Sequence, residues 1–397
     1  MILFLVSALG AWASVAFVFS VGAWLETRRL VREARDQPPL TRWPAIAVLR
    51  PCAGLDPDLE ENLLSTVIAR YDGPREVYLL VASEDDPAHA VAVRVRARAG
   101  ELAPGIRVEV VVTRITSRHN RKVAQLARAE GLSDAPVIAV VDSDISVDDE
   151  TLPALVAALH SHPRAGASSC PVMDVRHDTL GDRASAALLT STPHAFYCLG
   201  ALAERSGGAH VLCGALIAIR REVLAELGGF ASLERYLGED FELARRLHAR
   251  GYTIPTAGAP GRVTDRGRTF GVVVRRFARW CTVTRQQRPH LMLTYPLFLA
   301  CGPLLLVFGA AAGIAGGDAG RLVAAGIAMV LLVRVAVAMA LRRGYRLRAG
   351  PLRALGAMLL GELTLLIGFS GALGRPIVAW RGNRYRIGPG GLIELIP

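Results

Sequence analysis

Val137-Ile138-Ala139-Val140-Val141-Asp142-Ser143-Asp144 is a run of five apolar residues closed by two carboxylates one serine apart. An apolar run this short, bounded by polar residues, reads as a strand of a sheet covered on both faces. Carboxylates at the C-terminal end of such a strand sit where open α/β sheets bind their ligands. Where the chain turns, acids at i and i+2 can both reach one hard divalent cation, Mg²⁺ or Mn²⁺, whose other ligands are normally substrate phosphate oxygens. The stretch therefore points to an α/β domain with a nucleotide-diphosphate site, and it makes Asp142 and Asp144 candidate metal ligands. The same two acids equally suit capping of the next helix, and the stretch alone does not choose.

The sequence on either side alternates strand and helix. Residues 46–49, 77–82, 108–112 and 137–141 read as strands, and 59–69, 88–99, 122–130 and 152–160 as the helices between them. Such alternation implies parallel strands with right-handed crossovers. Residues 211–219 read as a long strand and 241–249 as a helix closed by Gly251. No internal repeat or low-complexity tract is present.

Hydrophobic residues make up 52% of the 397-residue chain, above the soluble norm, which points to membrane segments. Residues 1–25 carry no charge and are followed by Arg28, Arg29, Arg32 and Arg35, so the positive-inside rule places this end in the cytoplasm. Residues 291–316, 322–341 and 354–373 are each long enough to span. The chain thus divides into an N-terminal transmembrane anchor (1–26), a cytoplasmic α/β domain (27–290), a C-terminal transmembrane region (291–374) and a basic tail (375–397). Three full C-terminal spans would leave the tail outside, although it holds Arg375, Arg381, Arg384 and Arg386. A re-entrant or interfacial segment resolves the conflict, and 354–373, with Glu362 at its middle, is the first suspect.

The net charge of +11 is carried almost wholly by arginine, and Lys122 is the only lysine. Arginines close to a membrane face anionic lipid, and they are not interleaved with aromatics as on a stacking platform, so nucleic acid is not the expected partner. Six cysteines without C-x-x-C pairing fit free thiols in a reducing compartment.

Three further features bear on the site. Ser83-Glu84-Asp85-Asp86-Pro87 is a second acidic cluster directly after an apolar strand, suited to the same crevice or to capping the next helix. Leu237-Gly238-Glu239-Asp240-Phe241-Glu242 opens a helical pattern with acids that suit either a helix N-terminus or a general base. In Arg275-Arg276-Phe277-Ala278-Arg279-Trp280, apolar residues at 270, 273, 274, 277 and 281 recur at helical spacing, marking an amphipathic helix at the membrane surface. Arg276, Arg279 and Trp280 share one face of it, where two guanidiniums beside an indole suit either a pyrophosphate or lipid headgroups.

Three acidic loops followed by Arg-x-x-Arg-Trp before a membrane span make a far more specific pattern. The chain resembles the membrane-bound family 2 glycosyltransferases of the D, D, D, (Q/R)-x-x-R-W group, and among them the ceramide glucosyltransferases. The resemblance runs through Val48-Leu49-Arg50-Pro51, Gly54-x-Asp56-Pro57, Asn62-Leu63, Tyr71 and Glu84-Asp85-Asp86-Pro87-Ala88. It continues through Asn120-Arg121-Lys122-Val123, Asp142-Ser143, Glu239-Asp240 and Arg276-x-x-Arg279-Trp280. It implies a GT-A (Rossmann-like) cytoplasmic catalytic domain with one N-terminal and two to three C-terminal transmembrane helices.

By the same resemblance, Asp86 with Asp85 would contact the nucleoside of a UDP-sugar, and Lys122 would lie close to the donor nucleotide. Asp142 would orient the sugar-nucleotide and its metal, and Asp240 would be the catalytic base. Arg276, Arg279 and Trp280 would hold the diphosphate. Asp144 completes a D-x-D where some ceramide glucosyltransferases carry a non-acidic residue, which adds a metal ligand and loosens the subfamily match. Arginine rather than glutamine at 276 favours single transfer over processive synthesis. The implied activity is inverting transfer of glucose from UDP-glucose to ceramide at the bilayer, in a bacterial inner membrane. The rivals are N-acetylglucosamine transfer to a hopanoid polyol, a processive polysaccharide synthase, and a non-catalytic binder of nucleotide-sugars.

Overall fold

The computed structural model describes residues 2–38, 40–116, 119–206 and 211–396. The chain forms two compact units interleaved in sequence. One comprises Arg32–Arg176, Ser206–Arg266 and Ile377–Pro397; the other comprises Met1–Val31, His177–Arg205 and Gly267–Pro376. Residues 177–205 and 267–290, expected inside the α/β domain, thus cluster with the apolar helices.

The first unit is built on a six-stranded sheet. Its strands are β1 (Ile46–Pro51), β2 (Arg75–Val81), β3 (Arg107–Val112), β4 (Val137–Val141), β6 (Ala167–Ser169) and β8 (Leu216–Arg220), in the order 3-2-1-4-8-6. The first four run parallel, β8 runs antiparallel to β4, and β6 antiparallel to β8. All five residues of β4 are buried, as an unbroken apolar run requires. Helices α2 (Leu59–Ile68), α3 (Pro87–Leu102), α4 (Arg121–Ala129) and α5 (Thr151–His160) link or flank these strands, followed by α8 (Arg221–Glu226) and α9 (Glu239–Ala249). Leu49, Tyr78, Leu80, Ile138 and Val140 pack with Val123 and Leu126 of α4, Val223 and Leu224 of α8, and Leu243 and Leu247 of α9.

The chain winds outward from β1 to β3 and then returns to place β4 on the other side of β1. The crevice beyond the C-terminal ends of β1 and β4 is therefore a topological switch point. A small sheet of β5 (Ile145–Ser146), β9 (Gly261–Val263) and β7 (Val172–Asp174) stands beside the turn that follows β4. The region expected as a nine-residue strand is shorter, since β8 begins only at Leu216. The basic tail is also not a mere tail. Residues beyond 376 form an antiparallel sheet, β10 (Ile377–Trp380), β11 (Asn383–Ile387) and β12 (Ile393–Ile396), within the first unit.

The second unit contains α1 (Ile2–Arg35), α6 (Leu180–Ser191), α7 (Phe196–Ser206), α10 (Phe270–Gln287), α11 (Gly302–Ala315), α12 (Gly317–Gly344) and α13 (Pro351–Ala372). Among the described residues α1, α12 and α13 are long and apolar enough to cross a membrane. The stretch expected as one span at 291–316 is instead a pair, Pro289–Leu299 and α11, bent by 52°. Such a break frees backbone groups that hydrocarbon cannot satisfy. Arg334 of α12 donates to the carbonyls of Phe298 (2.8 Å) and Leu299 (3.3 Å), and Glu362 of α13 accepts from Gly302 N–H at 2.7 Å. The two side chains also pair with each other, Nε to Oε1 at 3.1 Å. A Cβ at Gly361 of α13 would lie 2.6 Å from Thr192 and 2.9 Å from Leu188 of α6, so that helix pair needs glycine to close.

All six cysteines are free and buried.

Candidate active site

Lysine in the first turn of a helix opposes the helix dipole, so Lys122 near the start of α4 needs carboxylate partners. It has two. Its Nζ lies 2.7 Å from Asp142 Oδ1 and 3.2 Å from Glu239 Oε1, and it donates to the Gly214 carbonyl at 3.1 Å. Burial works against charge on this ammonium, but Asp142 and then Glu239 outweigh it and hold Lys122 above its ordinary value. One side chain thus ties together the turn after β4, the loop before β8 and the N-terminus of α9.

Asn120 sets the distance between these helices. It caps α4 by accepting from Val123 N–H at 3.3 Å, and its amide donates to the Tyr236 carbonyl (2.9 Å) and Glu239 (3.1 Å). Glu239, Asp240 and Glu242 fill the first turn of α9, where the dipole favours negative charge.

Asp240 occupies the most telling environment. Its carboxylate accepts from Phe241 N–H at 2.8 Å and Gly214 N–H at 3.2 Å. Burial, and next the charge of Glu239, push it up to about 7, against the pull of Lys122 and the two N–H groups. A carboxylate poised near neutrality is suited to take a proton at physiological pH. Gly214 serves both halves of the site, its carbonyl facing Lys122 and its N–H facing Asp240. A Cβ there would come within 2.8 Å of the Asp240 Cβ.

The acidic turn is held on several sides. Asp142 N–H donates to the Ala215 carbonyl at 2.9 Å. The Ser143 hydroxyl, between the two acids, donates to Asp56 Oδ2 at 2.6 Å. Arg50 of β1 is fully buried and donates to the Ile145 carbonyl at 3.0 Å. Burial pulls its guanidinium down to about 10, with Asp142 and Asp144 among the groups that oppose, so it remains a fixed positive charge beside the turn. Asp142 and Asp144 are both half-buried.

The remaining expected residues are placed as follows. Asp86 caps α3: its Oδ1 accepts from Ala88 N–H at 3.0 Å and from Gly54 N–H at 2.8 Å, while Asp85 is exposed. Gly54 has φ +70°, a conformation that favours glycine, so this link between the loops after β1 and β2 is specific. Arg276, Arg279 and Trp280 lie on α10 in the second unit. Arg276 donates to the Ser185 hydroxyl, and its guanidinium sits 5.1 Å and 5.7 Å from the ring centroids of Phe277 and Trp280. Arg279 and Trp280 are half-buried there. Among the described residues no three His, Cys, Asp or Glu side chains converge as a ready metal cluster.

Asn120, Arg50, Gly214 and Glu239 were not singled out as site residues by the sequence. Glu239, Arg50 and Asn120 lie inside quoted motifs. Gly214 left no signal beyond its own lack of a side chain.

With this geometry in place, residues 9–393 match glycosyl transferase family 21. The chain belongs to that family. This family 21 glycosyltransferase is similar to ceramide glucosyltransferase 3 of Caenorhabditis elegans, at 24% identity over 88% of this chain and 74% of the relative. It is also similar to ceramide glucosyltransferase 1 of the same organism, at 22% identity over 96% of this chain and 78% of the relative. Among solved structures it is similar to a Pyrobaculum calidifontis mannosyltransferase in complex with GDP-Man and Mn²⁺, at 19% identity and TM-score 0.46 over 92% of this chain and 99% of the other. The family 21 glycosyltransferase thus has the ceramide glucosyltransferase homologues that its motifs implied.

Proposed function

We propose that this glycosyltransferase moves glucose from UDP-glucose to the hydroxyl of ceramide with inversion at the anomeric carbon, and does so at the cytoplasmic face of a bacterial inner membrane. The observation that carries this reading is Asp240, poised at about 7 and coupled through Gly214 and Lys122 to the acidic turn at Asp142. A half-buried carboxylate with a raised proton affinity is suited to deprotonate a lipid hydroxyl, and a separate acidic turn is suited to the donor.

The donor side is read from its charges. Asp142 and Asp144 fit a divalent cation of the Mg²⁺ or Mn²⁺ type, because such an ion usually takes only one or two protein carboxylates beside waters and phosphates. When bound it would supply positive charge to the diphosphate. Lys122 orients Asp142 and keeps Glu239 from repelling it. Asp86 and Asp85 are assigned to the nucleoside, and Arg276, Arg279 and Trp280 to the diphosphate, on the strength of their motifs. As the glycosidic bond breaks, the lipid oxygen forms its new bond to the anomeric carbon from the opposite face, and Asp240 takes the proton. One attack inverts the centre, and no covalent enzyme intermediate is needed.

The test is the purified full chain in nanodiscs with UDP-glucose or UDP-N-acetylglucosamine, each offered ceramide or a hopanoid polyol, with the product's anomeric configuration assigned by NMR. The expected result is β-linked glucosylceramide with one UDP released per transfer. N-acetylglucosaminyl hopanoid as the sole product, or a polymer whose length grows with time, would overturn it.

A further inference from the structure

The C-terminal sheet touches three of the segments around the site. Between β10 and β11, Arg381 (φ +47°) and Gly382 (φ +80°) make a two-residue turn with both residues left-handed, as a type I′ hairpin requires. At its tip the Arg381 guanidinium donates to Asp56 Oδ1 and Oδ2 at 3.2 and 3.3 Å and to the Ala53 carbonyl at 3.1 Å. Asp56 is the carboxylate that holds Ser143 between Asp142 and Asp144. On β11, the Tyr385 hydroxyl donates to the His119 carbonyl at 3.2 Å, one residue before Asn120 and three before Lys122. Beside β12, Ile393 N–H donates to the Arg235 carbonyl at 2.9 Å and Leu392 bridges Tyr236, just ahead of Glu239 and Asp240.

We propose that this C-terminal sheet is a working wall of the donor site and that Arg381 binds the nucleoside diphosphate while positioning the acidic turn. A left-handed backbone costs a residue with a Cβ free energy that glycine would avoid, so arginine at this tip calls for a compensating use of its side chain. Its side chain remains 46% exposed while paired to Asp56. A planar guanidinium with five donors can keep a carboxylate and still offer N–H groups to a phosphate. It also brings a cation to a turn whose Asp142 and Asp144 both act on it electrostatically. The proposal rests on the donor reading of that turn.

The experiment measures UDP binding by calorimetry with Mg²⁺ present, and donor and ceramide KM, for the full chain in nanodiscs as wild type, Arg381→Gly and Arg381→Lys. Glycine relieves the turn while removing the charge, so loss of folding does not confound the result. Arg381→Gly is expected to weaken UDP and raise donor KM about tenfold or more, the scale of one charge-assisted hydrogen bond, with ceramide KM unchanged. Arg381→Lys should recover part of that loss. Wild-type affinity for UDP in Arg381→Gly would overturn the role of Arg381 alone. A wild-type protein that binds no UDP would overturn the donor reading and this proposal together.

Discussion

Lys122 with Asp142 and Arg334 with Glu362 are both cation–carboxylate pairs withdrawn from water, and they differ in what else each partner holds. The Lys122 ammonium is shared among Asp142, Glu239 and a carbonyl, and its side chain and that of Asp142 keep 16% and 28% of their exposure. All three acceptors sit on loops or a helix end at the mouth of a sheet. Arg334 and Glu362 are fully buried, and their remaining bonds go to the backbone of a broken helix. On the proposed donor reading, the first pair can exchange a partner for a ligand. The second satisfies groups that have no other partner in hydrocarbon, and exchanging anything there would reopen the break. Charge inside a fold thus marks a site only where its partners are exchangeable.

The largest effect expected from breaking this contrast is at Asp240. Asp240→Asn should lower kcat by ~10³-fold or more, within the range of general-base catalysis, while UDP affinity changes little. In the wild type kcat should rise with pH through about 7, since the base must be unprotonated. The stability sign runs the other way. The folded value lies above the ordinary 3.8, so between 3.8 and about 7 the folded state keeps a proton that the unfolded state has lost. Stability contributed by Asp240 is therefore full below that window and falls as pH rises through it. Asp240→Asn should melt higher than wild type at pH 8, with the gap closing toward pH 4. A kcat independent of pH from 5.5 to 8.5 would remove Asp240 as the base.

Next in size is the contrast between the pairs themselves. Glu362→Ala leaves Arg334 and Gly302 N–H without their acceptor and should cost about 3–5 kcal/mol, the scale for breaking a buried pair. Thermal unfolding in detergent reads this loss directly. Lys122→Met should do the reverse, keeping most of the stability and losing turnover by about 10²-fold. Because Lys122 holds the Asp240 value down, its removal should also move the pH–rate midpoint above 7. If both variants lose stability alike, the distinction between an exchangeable and a fixed pair is wrong.

The legible parts of this molecule were those written in local sequence. β4 is readable because five apolar residues have no other use in a two-faced sheet, and the place of the acids at its C-terminal end follows from the strand itself. Lys122 stood out by being alone. The C-terminal sheet is hard to read because the arginines at 375–386 read as charge and obscure the alternation on either side of Arg381-Gly382, a two-residue turn signal. Gly214 and Asp56 act through contacts between segments far apart in sequence, and no periodicity announces those. The span at 291–316 was apolar throughout, so hydropathy could not show a break whose partners, Arg334 and Glu362, lie on other helices.

The smallest expected effect separates two acidic strand ends that look alike in sequence. After β4, Asp142 faces a lysine; after β2, Asp86 spends one oxygen on Ala88 N–H and Gly54 N–H. Removing that cap with Asp86→Ala should cost about 1 kcal/mol by denaturant titration, and the loop at Gly54 should loosen with it. Asp86→Asn isolates the ligand role. Asparagine caps as well as aspartate, so stability should stay within a few tenths of a kcal/mol. To do so it must turn its carbonyl oxygen toward the two N–H groups, which leaves its amide, a donor, where the second carboxylate oxygen had been an acceptor. Uracil N–H and ribose hydroxyls presented to that position would then meet a donor, and donor KM should rise about fivefold with ceramide KM unchanged. An unchanged donor KM in Asp86→Asn would make the second acidic cluster scaffold alone and leave the nucleoside to be held by the loops around Asp56.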